Sequence, residues 1–191
     1  MGSSWGMAED GDHGALLVAT PRLKDPNFDR TVVMLLDHND EGAIGVVLNR
    51  PSGLAVSEAL PAWSSHIAEP AVVFVGGPVA PGSAICLAEA PPSNAAEGWQ
   101  PLFDGLGTVD VSRSPDDLTV GIGGLRVFAG YAGWAPGQLE AEIEAGAWIV
   151  APGSRRDAMS ADPTELWRSV LRRQGGVVAA MAAFPKELSS N

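Results

Sequence analysis

Ala15-Leu-Leu-Val-Ala-Thr20, Thr31-Val-Val-Met-Leu-Leu36 and Ala43-Ile-Gly-Val-Val-Leu48 are three short apolar runs, rich in β-branched residues. Their length and composition are those of strands rather than helices. Pro21 ends the first run. The polar link Asp37-His-Asn-Asp-Glu-Gly42 joins the other two and predicts a hairpin, closed by Asn49-Arg50-Pro51. Between the first two, Asp25-Pro26-Asn27 is a turn signal, because proline fixes φ and Asp or Asn bonds its own backbone.

Working outward, more strands appear at 71–75, 84–87, 108–111, 125–129 and 147–151, with Gly76-Gly77-Pro78 cutting off the first of these. Residues 90–106, with Pro91-Pro92, Gly98 and Gly105, read as loop. Val56 to Ile67 places Leu60, Trp63 and Ile67 at helical spacing, with Pro61 predicting an early start or a kink. Ser114 to Asp117 opens a single helical turn. Pro136 to Ala145 is a helix with Leu139 and Ile143 on one face, stopped by Gly146. Asp162-Pro163-Thr164-Glu165 resembles a capping box, and the helix it opens runs to Gln174 with Arg168, Arg172 and Arg173 toward its C-terminal half. The apolar stretch 177–184 is expected to pack back on the body. Strands dominate, so the predicted class is α+β: one compact domain over 14–191 with a β-rich, largely antiparallel core and a few packed helices. Residues 1–13 read as a disordered tail.

The chain has 191 residues, 12 Lys+Arg against 23 Asp+Glu, and a net charge of −11. Apolar residues make up 46%, too many for a disordered chain. Nucleic-acid binding draws on a surplus of cations that this chain lacks overall, so direct contact with DNA is not expected. No apolar run is long enough to cross a membrane. The N-terminus has neither a basic nor an apolar signal region, and Met7 is a possible alternative start. One Cys excludes an internal disulfide and fits a reducing cytoplasm, where we expect the protein. One Cys with His13, His38 and His66 scattered makes no metal cluster.

Three blocks carry a family resemblance: Leu16 to Val33 with His38 and Gly42-Ala-Ile-Gly-Val-Val-Leu-Asn-Arg-Pro51; Gly76-Gly-Pro-Val79; and Arg126-Val-Phe-Ala-Gly-Tyr-Ala-Gly-Trp-Ala-Pro-Gly-Gln-Leu-Glu-Ala-Glu-Ile143 with Trp148. Together, over residues 14–184, they resemble the YqgE/AlgH family of small bacterial proteins. The resemblance implies a compact α+β fold with a β-rich core. It implies no catalytic residue and no cofactor. Some members carry the label of transcriptional regulators of alginate synthesis. The acidic N-terminus and the 91–98 loop depart from the pattern.

The residues themselves offer several sites, each with a structural alternative. Arg22, Asp25, Phe28 and Arg30 flank one loop, and Asn49-Arg50 closes the next hairpin. They are either a polar pocket whose guanidiniums grip an anion, or loops bracing themselves. His38 is either a general base or a loop histidine. Gly130-Tyr131-Ala-Gly133-Trp134-Ala-Pro136-Gly137-Gln138 is either a ligand site of flat rings beside a helix start, or a core plug at a tight turn. Cys86 sits in an apolar run where a thiol is inert. Gly105-Leu-Gly107 and Gly121-Ile-Gly-Gly124 lack the partners of a phosphate loop and read as turns. Arg155, Arg156, Arg168, Arg172 and Arg173 form the basic cluster, read as a solvated helix end. No nucleophile elbow and no complete catalytic set is present. The leading expectation is a non-enzymatic binding or regulatory module for a small ligand or protein partner. The alternatives are an enzyme acting on a small anionic substrate, and a DNA-contacting regulator.

Overall fold

The structure, a computed structural model, describes residues 14–186. The tail expected at 1–13 lies outside the described residues. In chain order the elements are β1 (Ala15–Ala19), β2 (Val32–Asn39), β3 (Gly42–Val47), β4 (Pro51–Ala55), α1 (Val56–Ala59), β5 (Val72–Val75), β6 (Val79–Glu89), β7 (Trp99–Phe103), β8 (Leu106–Val109), β9 (Leu125–Trp134), α2 (Gln138–Glu144), β10 (Trp148–Pro152), α3 (Arg155–Ala158), α4 (Leu166–Gln174) and α5 (Gly176–Ala180). The strands form one curled sheet in the order β10-β1-β2-β3-β9-β6-β8-β7, with β4 on β5 and β5 on β9. Every pairing among them is antiparallel except β5 with β9. The molecule is a single α+β domain.

The three opening runs are continuous rather than alternating because both faces of their strands are buried. Leu16, Val18, Val32 and Met34 face a core closed by Leu166, Trp167, Val170 and Leu171 around α4. Leu17, Ala19, Val33 and Leu35 face the other way, onto Trp134, Leu139 and Trp148. A third cluster, with Trp63, Trp99, Leu125 and Val127, lies under the far half of the sheet.

Several boundaries differ from the sequence reading. The 90–106 segment is not all loop, since it holds β7 and the start of β8. Pro101 sits in β7, the last strand of the sheet, where a missing N–H costs no ladder bond. The 125–129 strand continues through Gly130 and Gly133 to Trp134. The 84–87 strand begins earlier, at Val79, and includes a bulge where Val79 pairs with Tyr131 and Ala84 with Ala129. Pro51 begins a strand, β4, as well as closing the hairpin. The 56–67 helix breaks at Leu60, and Pro61–His66 continues as a 3-10 helix. The Asp162 side chain caps no helix and accepts from the Thr164 hydroxyl instead. The reciprocal cap is at α3, where the Asp157 carboxylate accepts from the Ser154 N–H at 2.9 Å and its hydroxyl at 3.2 Å. The 177–184 tail is helical from Gly176 to Ala183. It buries Ala182, while Val177 and Phe184 stay exposed.

Candidate functional site: a groove where the chain crosses strand β9

Strand β9 has more neighbours than two edges ordinarily hold. Its first half pairs with β6 on one edge and β5 on the other, since both partners share Phe128 and Ala129. Its last residues, Ala132 to Trp134, pair with β3. Gly76 bridges the gap between β3 and β5: its N–H donates to the Ala129 carbonyl and its carbonyl accepts from the Val47 N–H, each at 2.8 Å. Gly76-Gly77-Pro78 must then carry the chain from the β5 edge of β9 to the β6 edge. It does so against the β9 backbone. A Cβ on Gly76 would lie 2.3 Å from the Gly130 carbonyl oxygen, and one on Gly77 would lie 2.2 Å from Tyr131 backbone atoms. Gly130 answers from below: its φ is +70°, and a Cβ there would lie 2.5 Å from the Gly77 oxygen. These glycines are demanded by backbone-on-backbone contact.

Where β3 and β5 part, a groove of about 360 Å³ opens, lined by Asn27, Val47, Arg50, Val75, Gly77, Pro78 and Pro81. Its apolar wall is exposed for its residue types: Val75 is 45% and Val79, beside it, 38% accessible. Arg50 supplies the cation. One guanidinium nitrogen, Nη2, donates to the Asp29 carbonyl at 3.1 Å, and the remaining N–H groups have no partner among the described residues. Partial burial pulls the Arg50 pKa below its ordinary value, while the negative charges of Asp29 and Asp25 act the other way. The loop is held by Asp25, whose carboxylate accepts from the Asn27 N–H at 2.9 Å. Asn49 fixes its far end: its side-chain oxygen accepts from the Val32 N–H at 3.0 Å and its amide donates to the Arg30 carbonyl at 2.8 Å. The Asn27 side-chain amide has no partner among the described residues. The groove lining contains no His, Cys, Ser, Thr, Tyr, Asp or Glu.

Other expected site residues are placed elsewhere. Arg22 is exposed, with its guanidinium beside Gly146. Arg30 points away from Arg50. It donates to the Phe184 carbonyl at 2.8 Å and stacks 4.8 Å from the Trp167 ring centre. Phe28 packs between Trp134 and Trp148, with ring centres 6.2 and 5.6 Å away. Both indole N–H groups donate to one Glu142 oxygen, at 2.9 and 2.8 Å, and Gln138 donates to the other at 3.0 Å. Trp134 is thus buried, and its polar tip is engaged. Tyr131 is half-buried against the main core. His38 Nε2 lies 2.6 Å from the Glu140 carboxylate. The backbone N–H of Glu140, and then His38, hold that carboxyl below the ordinary glutamate range.

Two buried charged groups escaped the sequence reading. Arg126, on β9, is 1% exposed and has no carboxylate partner among the described residues. It donates to the carbonyls of Ala158 at 3.0 Å, Ser160 at 2.9 Å and Glu69 at 2.5 Å, and lies over Phe74. Its Nε atom is unpaired, and burial pulls its pKa down to about 10. Asp157 is buried and takes both terminal nitrogens of Arg173, at 2.7 and 2.8 Å. Arg173 nonetheless stays exposed, as do Arg155, Arg156 and Arg172, while Arg168 is half-buried and donates to Glu165. Cys86 is buried in β6, and burial pushes its thiol up to about 12. Among the described residues there is no group of three or more side chains suited to a metal ion, and no helix long and apolar enough to cross a membrane.

A family model described as AlgH-like matches residues 16–179. The chain is 49% identical over 182 residues to a UPF0301 protein of Streptomyces avermitilis, covering 93% of this chain and 94% of that one. It is 49% identical over 187 residues to a UPF0301 protein of Thermobifida fusca, with the same coverage. Among solved structures, a Corynebacterium diphtheriae protein matches with a TM-score of 0.83 at 30% identity, covering 93% of this chain and 94% of that chain. The solution structure of the AlgH protein from Pseudomonas aeruginosa matches with a TM-score of 0.65 at 28% identity, covering 98% of this chain and all of that chain.

Proposed function

The chain belongs to the AlgH-like, UPF0301 family, and from that premise we propose that it is a binding module whose ligand, part apolar and part anionic, lies in the Arg50 groove. The observation that carries this is the half-buried Arg50 guanidinium, with one hydrogen bond to the described chain, on the wall of a groove whose other lining side chains are apolar except for Asn27. A cation withdrawn from water and left short of partners is costly to the fold alone. An anion would complete it. Few convergent polar groups on an apolar wall are the usual makeup of a ligand site. The lining offers no acid, base or nucleophile, which favours binding over turnover.

The glycine crossing supports the same reading, because it fixes the groove floor on rigid backbone and lowers the ordering cost of binding. The test is amide chemical-shift mapping with a mixture of small anionic and neutral apolar compounds. Shifts should cluster at Val47, Val75 and Gly77, and Arg50→Gln should abolish them while leaving the unfolding free energy within about 1 kcal/mol of wild type. Shifts confined to another surface, or unchanged by Arg50→Gln, would refute the proposal.

A further inference from the structure

Building on that reading of the groove, we infer that the anionic group it takes is a single carboxylate at the end of an apolar chain, in preference to a phosphate. The groove lining holds one cation, Arg50, and one neutral donor side chain, the Asn27 amide, which has no hydrogen-bond partner among the described residues. It also sits beside two carboxylates. Asp25 and Asp29 belong to the same loop as Asn27, and the Asp29 carbonyl is what holds Arg50. Among the described residues the Asp29 carboxylate makes no ion pair or hydrogen bond, and it acts on Arg50 through its charge alone. Of the other cations of that loop, Arg30 is committed to Phe184 and Trp167, Arg22 lies beside Gly146, and neither they nor Lys24 line the groove.

A monoanion is matched by this arrangement. The two oxygens of a carboxylate fit the fork of a guanidinium. A phosphate brings a second negative charge, for which the groove holds no second cation and two nearby acids. Like charges placed together at a partly desolvated site select strongly against the wrong ligand. The remaining lining, Val47, Val75, Pro78 and Pro81, calls for an aliphatic tail. At about 360 Å³ the groove is at the small end of ligand sites, suited to a short chain end. A free carboxylic acid and the C-terminus of an extended apolar peptide share this chemistry.

The experiment compares hexanoate, hexanamide and hexyl phosphate, which share a tail and differ in the head group. Binding is followed by the amide shifts of Val47, Val75 and Gly77. Hexanoate should bind at least about tenfold more tightly than either of the others. Asp29→Asn, which keeps the carbonyl that holds Arg50, should bring hexyl phosphate to within about threefold of hexanoate. Arg50→Gln should erase the difference between hexanoate and hexanamide. A short apolar peptide, offered with a free and with an amidated C-terminus, separates the two sources: the free form binding more tightly than hexanoate identifies a protein C-terminus, and the reverse a free acid. Hexyl phosphate binding as tightly as hexanoate, or a ratio unmoved by Asp29→Asn, overturns this inference and leaves the groove standing as a site. If none of the compounds moves a groove amide, the groove reading itself fails.

Discussion

Gly130 and Gly137 have nearly the same backbone conformation, φ +70° and +76°, and very different surroundings. Replacing each by alanine separates the cost of conformation from the cost of contact. An alanine in the left-handed region costs about 1–2 kcal/mol. The loss of glycine's freedom in the unfolded chain returns about 0.4–1 kcal/mol. Gly137→Ala, where the new methyl meets nothing within 4 Å, should therefore cost about 1 kcal/mol. At Gly130 the methyl would stand 2.5 Å from the Gly77 oxygen and 2.9 Å from the Val79 oxygen, where ordinary contact begins near 3.4 Å. The crossing segment must lift by several tenths of an ångström. That loosens the two 2.8 Å bonds Gly76 makes to Ala129 and Val47, each worth about 1 kcal/mol, and unpacks the Gly77–Tyr131 contact. Gly130→Ala should cost about 4 kcal/mol or more, a large share of the ~5–15 kcal/mol available to a domain. Urea unfolding of both variants, compared at equal m-value, measures the difference. Equal destabilisation of the two would show that the crossing is not held by backbone contact, and the account of the groove floor would go with it.

Glu142→Ala leaves two buried indole N–H groups unpaired and should cost about 2–5 kcal/mol by chemical denaturation, whereas Glu142→Gln should recover most of that. Arg126→Met removes three hydrogen bonds to carbonyls and also removes the burden of a desolvated charge. We expect a net loss of about 2–4 kcal/mol, and a variant more stable than wild type would mean that desolvation outweighs the bonds. Cys86, its thiol pushed up to about 12 by burial, should resist thiol reagents at neutral pH in the native protein and react fully in denaturant. The Glu140 carboxyl, held low chiefly by its own backbone N–H and then by His38, binds a proton less readily in the folded than in the unfolded chain. Its contribution to stability is present above its unfolded value of 4.5 and lost as the pH falls through the lower folded value. The stability difference between wild type and Glu140→Gln should therefore shrink on acidification below pH 4.5, as read from urea midpoints.

What the sequence disclosed followed from side-chain volume and shape. The β2–β3 hairpin was legible because Thr31 to Leu36 and Ala43 to Leu48 are apolar on both faces and joined by polar turn residues. The α4 helix was legible from its stripe of Leu166, Val170 and Leu171. What stayed hidden depended on neighbours distant along the chain. Trp99 to Leu106 reads as loop because Pro101 is a poor strand residue anywhere but at an edge, and Gly105 marks the tight turn between β7 and β8. Gly130 and Gly133 read as a turn, yet they continue a strand whose backbone is touched by another segment. Arg126 left a signal that was passed over: one charge inside Leu125-Arg-Val-Phe-Ala129, which an apolar strand tolerates only if carbonyls wait for it. Asn27 was read only as part of a turn, whereas Asn49 and Arg50 were named as polar site residues. The apolar wall facing Arg50 was not, since Val75, Pro78 and Pro81 join it only through the crossing.

The three blocks that carry the family resemblance meet at one place. Asn27, Val47 and Arg50 come from the first, Gly77 and Pro78 from the second, and Gly130 with Tyr131 from the third. Two different requirements are superimposed there. The glycines answer to the fold: the chain cannot pass over β9 with any larger residue, and nothing about a ligand is needed to explain them. Arg50 answers to something else. Asn49, one residue earlier, already pins the loop to Val32 and Arg30, so the single bond from Arg50 to the Asp29 carbonyl adds little that the loop lacks. An aliphatic residue at position 50 would cover Val47 and Val75 without withdrawing a charge from water. Asp29 and Asp25 favour its charge, so what Arg50 lacks is hydrogen-bond partners, and that shortfall is the physical reason to look for an anion there.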